Sequence, residues 1–483
     1  MNQNPNNSSL AAGAKTIVLK LRREGFEALY AGGCVRDMIL GREPKDFDVV
    51  TDARPDTVLK LFPRSVAVGK AFGVVRVGVD ACLPCARLGE ALRRSLVALA
   101  KKDSGSATDI YYDVATYRTD GNYSDGRHPQ SVTFADEATD AARRDFTINA
   151  MFFDPIEGKI RDLVGGKEDL DKKIIRTVGD PDKRFQEDHL RMLRAVRFAA
   201  TLNFTIEAQT ADAVRRQAKF IGRVSAERIQ QELTRILLEA LKPGDALETL
   251  SSLGLLKEIL PEVEAMRGQE QPPQFHPEGD VWTHTVLMLN AMNKPSLRLA
   301  TRGAWLAYSV LLHDVGKPAT AVKAPDRIRF NRHAAFGADM AAVILQRLRL
   351  PSADIKAISH IIGNHMRFMD VRRMRKSTLR RLITAETFPD ELELHRLDCE
   401  ASHGDMQNYI FLNDFKKGFQ AEPVLPPPLV TGNDIVALGV LRGPLVGKIK
   451  KAVYDAQLEG RFEGREAAMK WLKKMEKELG KQP

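Results

Sequence analysis

A chain of 483 residues is too long for one hydrophobic core, so its length predicts several domains. Hydrophobic residues make up 43% and charged residues 28%, a balance typical of globular proteins, and the net charge of +10 favours a polyanionic partner. Four cysteines argue against a disulfide scaffold and for a reducing compartment. Because no stretch has the apolar length of a membrane span or a signal peptide, we expect a soluble, cytoplasmic protein that does not bind membranes.

The first third of the chain predicts a mixed α/β sheet. Residues 1–12 are predicted to form a disordered leader, and the spacing of apolar residues predicts a helix over 14–23. Runs of β-branched and aromatic residues predict strands at four places, namely 28–31, 47–50, 73–79 and 110–117.

A basic segment over 82–108 lies between the last two predicted strands and is interpreted as an insertion in a hairpin. A tolerated surface excursion is favoured over a dedicated RNA contact. Within it, Cys82 and Cys85 form a single CxxC pair. A zinc site needs two further ligands, and none lies nearby at the usual spacing, so coincidence is favoured over zinc.

Beyond residue 167 the sequence predicts helices. Residues 185–202 and 226–241 have amphipathic spacing, and Ser225 is a candidate N-cap for the second of these helices. A proline-rich stretch at 271–277 marks a boundary. Residues 280–405 then predict another helical region, which contains many histidines, and a segment rich in lysine and glutamate ends the chain.

Two glycines, Gly32 and Gly33, lie where a predicted strand meets a predicted helix. Residues without a side chain allow the backbone to approach a phosphate closely, and the amides at the start of a helix face the anion. Arg36 would add a charge-assisted contact. These three residues are therefore predicted to bind a nucleotide.

Asp46 and Asp48 alternate along one predicted strand, so both carboxylates should point to the same face. Two such carboxylates can hold a pair of Mg²⁺ ions about 4 Å apart. A third carboxylate from a neighbouring strand usually completes such a site. Asp113, in the middle of its predicted strand, is the candidate, whereas Asp80 and Asp109 lie at the edges of the inserted segment and are weaker candidates. An isolated pair of acids usually means two solvated side chains on the surface. Its combination with the two glycines at this spacing is a far more specific signal for nucleotide transfer.

Residues 28–52, which contain both signals, resemble the signature motif of the class II tRNA nucleotidyltransferase and bacterial poly(A) polymerase family, within the polymerase β-like superfamily. Residues 143–150 resemble the family's ribose- and phosphate-recognition motif, residues 185–191 its nucleobase-recognition motif, and residues 225–232 its neck-stabilising helix. In the second motif the resemblance assigns nucleotide binding to Arg144, Asp145 and Asn149.

The third motif contains Glu187, Asp188 and Arg191. On a helix Arg191 lies near both acids, so one interpretation is an ion pair worth about 0.5 kcal/mol to the helix. The other is a base template, because cytosine and adenine present an amino donor beside a ring-nitrogen acceptor, which one carboxylate and one guanidinium match. The resemblance assigns this role to Asp188 and Arg191, with Glu187 holding Arg191 in place.

The histidine-rich region resembles the H…HD…D pattern of HD-domain phosphohydrolases through His284, His313, Asp314 and Asp398. Imidazole and carboxylate ligands suit a divalent transition metal such as Ni²⁺, Co²⁺ or Mn²⁺. The resemblance leaves open whether such a domain hydrolyses phosphate monoesters or cyclic phosphates or only supports RNA. Candidates for a second metal are His333 and His365, with His360 as an alternative to His365.

The resemblance implies a multidomain chain that combines an α/β part with all-α parts. The family normally has a short hairpin where this chain has its insertion, which leaves the local sheet geometry open. The expected parts are a disordered leader (1–12), a polymerase β-like nucleotidyltransferase head with a mixed sheet (13–155), helices of a neck and body that bind nucleotide and RNA (156–270), a helical HD domain (271–410) and a helical tRNA-binding tail (411–483).

The activity implied is Mg²⁺-dependent addition of nucleotides from CTP and ATP to the 3′ end of tRNA, without a nucleic-acid template and with release of pyrophosphate. Poly(A) polymerases share every head motif, but residues 123–129 resemble the flexible loop of CCA-adding enzymes, and this favours CCA addition over poly(A) or CC-only addition. An A-only enzyme stays open. So does an HD phosphohydrolase whose head only binds RNA, although Asp46, Asp48 and Asp113 argue against it. The sequence indicates no protein partner.

Overall fold

The computed structural model describes residues 5–69, 73–79, 110–120, 132–292, 303–419 and 423–479. The chain divides into two compact units. The first unit contains Met1–Leu241 and Ala246–Ile259, and the second contains Lys242–Asp245 and Leu260–Pro483. Several predicted features lie outside the described residues, namely the insertion over 82–108 with Cys82 and Cys85, the weaker candidates Asp80 and Asp109, and the loop at 123–129.

The four predicted strands are all present, with ends that differ from the prediction by one residue at most. In chain order the strands are β1 (Ala28–Ala31), β2 (Asp48–Thr51), β3 (Ser65–Gly69), β4 (Val74–Val79), β5 (Ile110–Thr116), β6 (Arg118–Asp120), β7 (Val132–Phe134), β8 (Phe152–Asp154), β9 (Lys159–Arg161), β10 (Ile174–Ile175), β11 (Thr205–Ile206), β12 (Ala321–Lys323) and β13 (Ile328–Phe330).

A seven-stranded mixed sheet forms the centre of the first unit, in the order β3-β4-β5-β2-β1-β8-β9. Strands β2 and β5 are parallel, with Val49 opposite Val114, whereas their other neighbours in the sheet are antiparallel. Both valines are buried in the main core of this unit. Since side chains alternate along a strand, the preceding residues, Asp48 and Asp113, lie side by side on the opposite face.

The helices cover most of the remaining described residues. In chain order they are α1 (Pro5–Arg23), α2 (Gly33–Ile39), α3 (Pro55–Leu61), α4 (Glu137–Ala142), α5 (Gly166–Asp171), α6 (Pro181–Glu187), α7 (Leu190–Leu202), α8 (Ala208–Gln217), α9 (Ala226–Glu239), α10 (Pro243–Ser252), α11 (Leu255–Ile259), α12 (Pro261–Glu264), α13 (Val281–Ala291), α14 (Gly303–Leu312), α15 (Lys317–Thr320), α16 (His333–Arg347), α17 (Ser352–Asn364), α18 (Lys376–Ile383), α19 (Phe388–Ala401), α20 (Gln407–Lys417), α21 (Gly432–Ala437), α22 (Pro444–Leu458) and α23 (Gly464–Leu479).

Helix α1 begins at Pro5, so the prediction of a disordered leader is wrong from that residue onward. Leu10 and Ala11 pack against the main core, beside the buried apolar stripe that the sequence predicted. Two tyrosines from the sheet also hold this end of the helix. The hydroxyl of Tyr112 donates to the carbonyl of Leu10 at 2.9 Å, and that of Tyr30 donates to the carbonyl of Ala11 at 3.2 Å. Contacts with residues 19 and 102 positions away in the sequence therefore order a polar stretch that has no strong local signal.

The helix predicted over 185–202 is two helices, α6 and α7. The break lies at Asp188, whose backbone is extended, with φ −148° and ψ 103°. Its Oδ1 accepts the N–H of Leu190 at 3.0 Å and so satisfies a free amide at the start of α7. Ser225 occupies the N-cap position of α9, as predicted, although its side chain makes no capping bond.

Among its described residues, the second unit is helical apart from the hairpin of β12 and β13. One apolar cluster joins α18, α19 and α20 through residues such as Leu379, Phe388 and Leu412. Another joins α21, α22 and α23 through Ile435, Val453 and Leu472. In the part of the chain that the structure describes, no helix is both long and apolar enough to cross a membrane.

Candidate functional sites

A cavity of about 540 Å³ in the first unit brings together most residues of the predicted nucleotide site. Its wall combines the turn before α2, the start of β2, the segment after α4, and helix α7. Arginines dominate the lining, beside a few carboxylates. The residues are Gly32, Gly33, Arg36, Asp46, Asp48, Arg143, Arg144, Asp145, Asn149, Asp188, Arg191, Arg194, Arg197, Phe198 and Arg235.

Gly32 is required by the backbone where it turns from β1 into α2. Its φ of 77° lies in the left-handed region, which favours glycine. A Cβ atom here would lie 3.3 Å from Arg144 Nη1 and 3.7 Å from Asp48 Oδ2. The turn therefore approaches both a cation and a predicted metal ligand closely, so a substitution would crowd the site as well as strain the turn.

Asp46 and Asp48 both line the cavity, whereas Asp113 does not. Asp46 lies two residues before β2, so only Asp48 is part of the strand. Loss of hydration in the cleft, together with the charges of Asp46 and Asp113, raises the pKa of Asp48 to about 6 against the opposing effect of Arg144. The three acids therefore interact. In the described structure, however, they do not form a group whose ligand atoms all lie within 4.8 Å of one another.

Asp113 is bound by an arginine that the sequence analysis missed. Arg76, opposite it on β4, donates to Asp113 Oδ1 at 2.8 Å and to Oδ2 at 3.2 Å. Both side chains are more than 40% exposed, at 45% and 41%. An exposed pair of this kind adds little stability, so a metal ion could displace Arg76 at little cost.

Arg144, Asp145 and Asn149 form a hydrogen-bonded network beside the glycine turn. Asp145 accepts from Asn149 Nδ2 at 3.2 Å and from Arg194 Nη2 at 2.6 Å. Asn149 Oδ1 in turn accepts from Arg36 at 2.8 Å. Burial alone would raise the pKa of Asp145, but Arg194 outweighs it and holds the pKa below its usual range. Asp145 is thus an ionised anchor that fixes two cavity residues.

The predicted base-recognition residues lie around the break between α6 and α7. Arg191 Nη1 donates to Glu187 Oε2 at 2.6 Å and to the carbonyl of Arg184 at 2.9 Å. Asp188 pairs instead with Arg228 of α9, which reaches its two carboxylate oxygens at 3.2 and 2.7 Å. The expectation that Arg191 lies beside both acids on one helix is therefore wrong, because the extended backbone at residue 188 turns its carboxylate away from Glu187.

The sequence analysis gave no role to several arginines at or beside this site, among them Arg194, Arg197, Arg228 and Arg76. Two had a visible signal, because Arg194 and Arg197 continue the three-residue spacing of Arg191 on α7. Arg228 lay inside a recognised motif but had no assigned partner. Arg76 had no local signal, since only the pairing of β4 with β5 brings it to Asp113.

A second cavity, of about 430 Å³ in the second unit, is lined by Asp314, His333, His365 and Asp398 among the predicted metal ligands. His284 and His313 do not belong to its lining, but they contact Asp398 and Asp314. The ligand atoms of His284, His313 and Asp398 lie within 4.8 Å of one another, and so do those of Asp314, His333 and His365. The remaining lining is partly basic and partly apolar, with Lys317, Arg327, Arg329, Phe275, Phe330, Met366 and Met369.

The histidines of the second group have their ring nitrogens oriented for a cation. His333 Nδ1 lies 2.8 Å from the carbonyl of Phe330, and His365 Nδ1 lies 2.7 Å from that of Ile362, so both Nδ1 atoms donate. Burial lowers the pKa of both residues, that of His365 to about 4, which keeps the rings neutral. Their Nε2 lone pairs then face each other at 3.3 Å, an unfavourable arrangement that a bound metal would relieve.

The contacts of Asp314 and His284 also support the interpretation that this cavity binds a metal. Asp314 Oδ1 is buried and accepts no hydrogen bond from any described residue, while Oδ2 pairs with Lys317 at 2.7 Å. His284 lies between Asp398, at 3.2 Å from Nε2, and Glu278, at 2.6 Å from Nδ1. The sequence analysis interpreted the preceding stretch at 271–277 only as a boundary and assigned no role to Glu278.

The choice between His360 and His365, left open by the sequence, follows from burial. His365 lines the cavity, whereas the side chain of His360 is 48% exposed and lies 3.4 Å from Glu391.

Comparisons with known proteins match this arrangement in the same order along the chain. The family described as "Poly A polymerase head domain" matches residues 28–176, "Probable RNA and SrmB- binding site of polymerase A" matches residues 203–267, and "HD domain" matches residues 281–387. The head-domain match covers the glycine turn, Asp46, Asp48 and residues 143–149 of the first cavity, whereas Asp188 and Arg191 lie between the first two matches. The HD match covers most of the second cavity.

Among curated proteins, a CCA-adding enzyme of Bacillus subtilis is 30% identical over 429 residues, which cover 88% of each chain. The chain belongs to the tRNA nucleotidyltransferase and poly(A) polymerase family. A CCA-adding enzyme of Bacillus pumilus is 40% identical, but over 54% of this chain and only 57% of that one. An A-adding tRNA nucleotidyltransferase of Deinococcus radiodurans is 35% identical over 66% of this chain and 75% of its own.

The fold is that of this tRNA nucleotidyltransferase family, a mixed-sheet polymerase head followed by helices with an HD domain. The CCA-adding enzyme of Bacillus stearothermophilus, in a crystal structure with CTP, aligns over 100% of both chains with a TM-score of 0.69 and 24% identity. Nucleotidyltransferase and HD domains both imply the use of divalent metals, and the described residues contain candidate ligand groups for them.

Proposed function

We propose that this chain builds or repairs the CCA end of tRNA, transferring nucleotides from CTP and ATP without a nucleic-acid template. The observation that carries the proposal is the shared cavity, which contains the glycine turn, Asp46, Asp48 and the pair Asp188 and Arg191. A phosphate-binding turn, metal-binding carboxylates and a base-recognition pair are the three elements that template-independent nucleotide transfer requires. The similarity to a curated CCA-adding enzyme, which extends over 88% of this chain, supports the same activity.

In the proposed reaction the 3′-hydroxyl oxygen of RNA forms a bond to the α-phosphorus, and the bond from that phosphorus to the bridging oxygen of the β-phosphate breaks. Pyrophosphate leaves, and the hydroxyl proton passes to water. Mg²⁺ held by Asp46 and Asp48, with Asp113 as a third ligand once Arg76 is displaced, would activate the hydroxyl and neutralise the triphosphate. Arg36 and Arg144 provide charge-assisted contacts to the phosphates.

For base choice, Asp188 accepts the amino group of cytosine or adenine, and Arg191 donates to the ring nitrogen beside it. Arg228 occupies one acceptor position on each oxygen of Asp188, and the N–H of Leu190 occupies a second position on Oδ1. A carboxylate has about four such positions, so one acceptor position on Oδ2 remains for the base. Glu187 holds the Arg191 guanidinium at 2.6 Å, which reduces the freedom that Arg191 loses on binding the base.

The decisive experiment uses purified protein with tRNAs that end before CCA, after the first C and after CC, each with one nucleoside triphosphate at a time. CCA addition requires C on the first two substrates and A only on the third. Addition of A only to the third substrate would identify an A-adding enzyme instead. Repeated A addition to unrelated RNA would identify a poly(A) polymerase, and no addition would leave the phosphohydrolase alternative.

For the second cavity we propose a metal-dependent phosphohydrolase that acts on phosphate monoesters or cyclic phosphates. The observation that favours it is the pair of facing Nε2 atoms of His333 and His365, beside the unpartnered Oδ1 of Asp314. Histidine with carboxylate suits Ni²⁺, Co²⁺ or Mn²⁺ better than Mg²⁺. The test is metal analysis after dialysis against each ion, followed by phosphate release from a panel of such esters. Protein that retains no transition metal would refute it.

A further inference from the structure

Three guanidinium groups pack against one phenyl ring in the wall of the nucleotide cavity. The centre of the Phe198 ring lies 4.2 Å from the guanidinium carbon of Arg197, 5.2 Å from that of Arg194 and 5.3 Å from that of Arg36. All four residues line the cavity. The ring is therefore a shared contact for cations that come from two distant parts of the sequence.

The ring itself is held rigidly by the core. Phe198 is 6% exposed and belongs to the main apolar cluster of the first unit. The ring of Phe146, which is fully buried, meets it edge to face at 5.7 Å and 78°. Aromatic pairs in this geometry resist displacement, so the Phe198 ring is a fixed reference for whatever packs on it.

Three like charges around one ring repel each other and need compensation. Each guanidinium has a carboxylate partner, with Arg36 at 2.7 Å from Asp37, Arg194 at 2.6 Å from Asp145 and Arg197 at 2.6 Å from Glu232. The electron-rich face of the ring adds an attraction that a saturated side chain lacks. This attraction acts on all three guanidinium groups through one ring, whereas their carboxylate partners belong to separate parts of the chain.

We propose that Phe198 is a positioning residue for the incoming nucleotide, because its ring fixes Arg36 relative to Arg194 and Arg197. Arg36 follows the glycine turn, and the other two lie on the helix that carries Arg191, so the ring links the phosphate side of the cavity to the base side. The proposal rests on the proposed nucleotide transfer and does not require Phe198 to touch the substrate. The ligand that these arginines would position is a nucleoside triphosphate.

The test replaces Phe198 with mono-, di- and trifluorinated phenylalanine, which withdraw electron density from the ring face stepwise with little change in shape. The KM for both CTP and ATP should rise with each step, by about tenfold across the series, since a cation–π contact of this kind accounts for such a factor. The kcat should change much less, because the reacting atoms are not in contact with the ring. Phe198→Leu should raise KM at least as far, and Phe198→Tyr should restore it.

Leu202→Ala is the matched control. Leu202 is on the same helix, is also 6% exposed and belongs to the same core, but it does not line the cavity. It should reduce stability and leave KM unchanged. A flat KM across the fluorinated series in an active protein would overturn only this inference, as would an equal rise in Leu202→Ala. A wild-type protein that transfers no nucleotide would overturn both the proposed function and this inference.

Discussion

Replacing Asp48 with asparagine should abolish nucleotide addition and, at the same time, stabilise the metal-free first unit. The change keeps the size of the side chain and removes its charge. Loss of hydration in the cleft, with the charges of Asp46 and Asp113, raises the pKa of Asp48 from 3.8 to about 6. The folded protein therefore disfavours the ionised carboxylate that metal binding requires, and asparagine removes that unfavourable charge.

The magnitude follows from the shift of about 2 pKa units, which corresponds to about 3 kcal/mol at most. Because the Asp48 side chain reaches solvent, screening reduces the expected gain to about 1–2 kcal/mol. Between pH 3.8 and 6 the folded state of the wild type binds more protons at this residue than the unfolded state, so its stability falls as the pH rises. The advantage of Asp48→Asn should thus be absent below about pH 4, grow up to pH 6 and stay constant above it.

The assay must report on the first unit alone. All three tryptophans, Trp282, Trp305 and Trp471, lie in the second unit, so their fluorescence is unsuitable. Peptide-resolved hydrogen exchange of β1, β2 and β5 in EDTA, corrected for intrinsic rates, measures the free energy of opening at pH 4 and pH 8. Added Mg²⁺ should then stabilise the wild type and not the variant. An equal or lower stability of Asp48→Asn at pH 8, or a gain that persists unchanged at pH 4, would refute the reasoning.

Three further predictions follow from the two sites. Asp188→Ala should let UTP compete with CTP, measured as relative incorporation of the four nucleotides. An unchanged preference with only a slower rate would favour a structural role for Asp188 through its ion pair with Arg228. Glu232→Leu should destabilise the first unit by about 3–5 kcal/mol in the same exchange assay, because it leaves the buried Arg197 without its carboxylate partner. The double change His313→Ala with Asp314→Ala should remove bound transition metal and phosphate release while largely preserving CCA addition. Loss of CCA addition in a folded protein would contradict the independence of the two sites.

Much of this arrangement could be predicted because its signals are local. Strand β1 occupies the predicted residues 28–31, and the glycine turn follows it directly. The HD residues were identified through their resemblance to the H…HD…D pattern, which is also read along the chain. Residues close in the sequence have few possible relative positions once a strand or helix forms, so the sequence carries their geometry.

The partners of the same residues depended on the tertiary structure. Asp188 meets Arg228 from 40 residues away, Asp113 meets Arg76 from 37 residues away, and the ring of Phe198 meets Arg36 from the other side of the cavity. No periodicity encodes such pairs, because each depends on how strands and helices pack after they form. The sequence by itself determined which chemical groups this protein has and in what order; packing decided which charge neutralises which, since that depends on distances that only the folded chain defines.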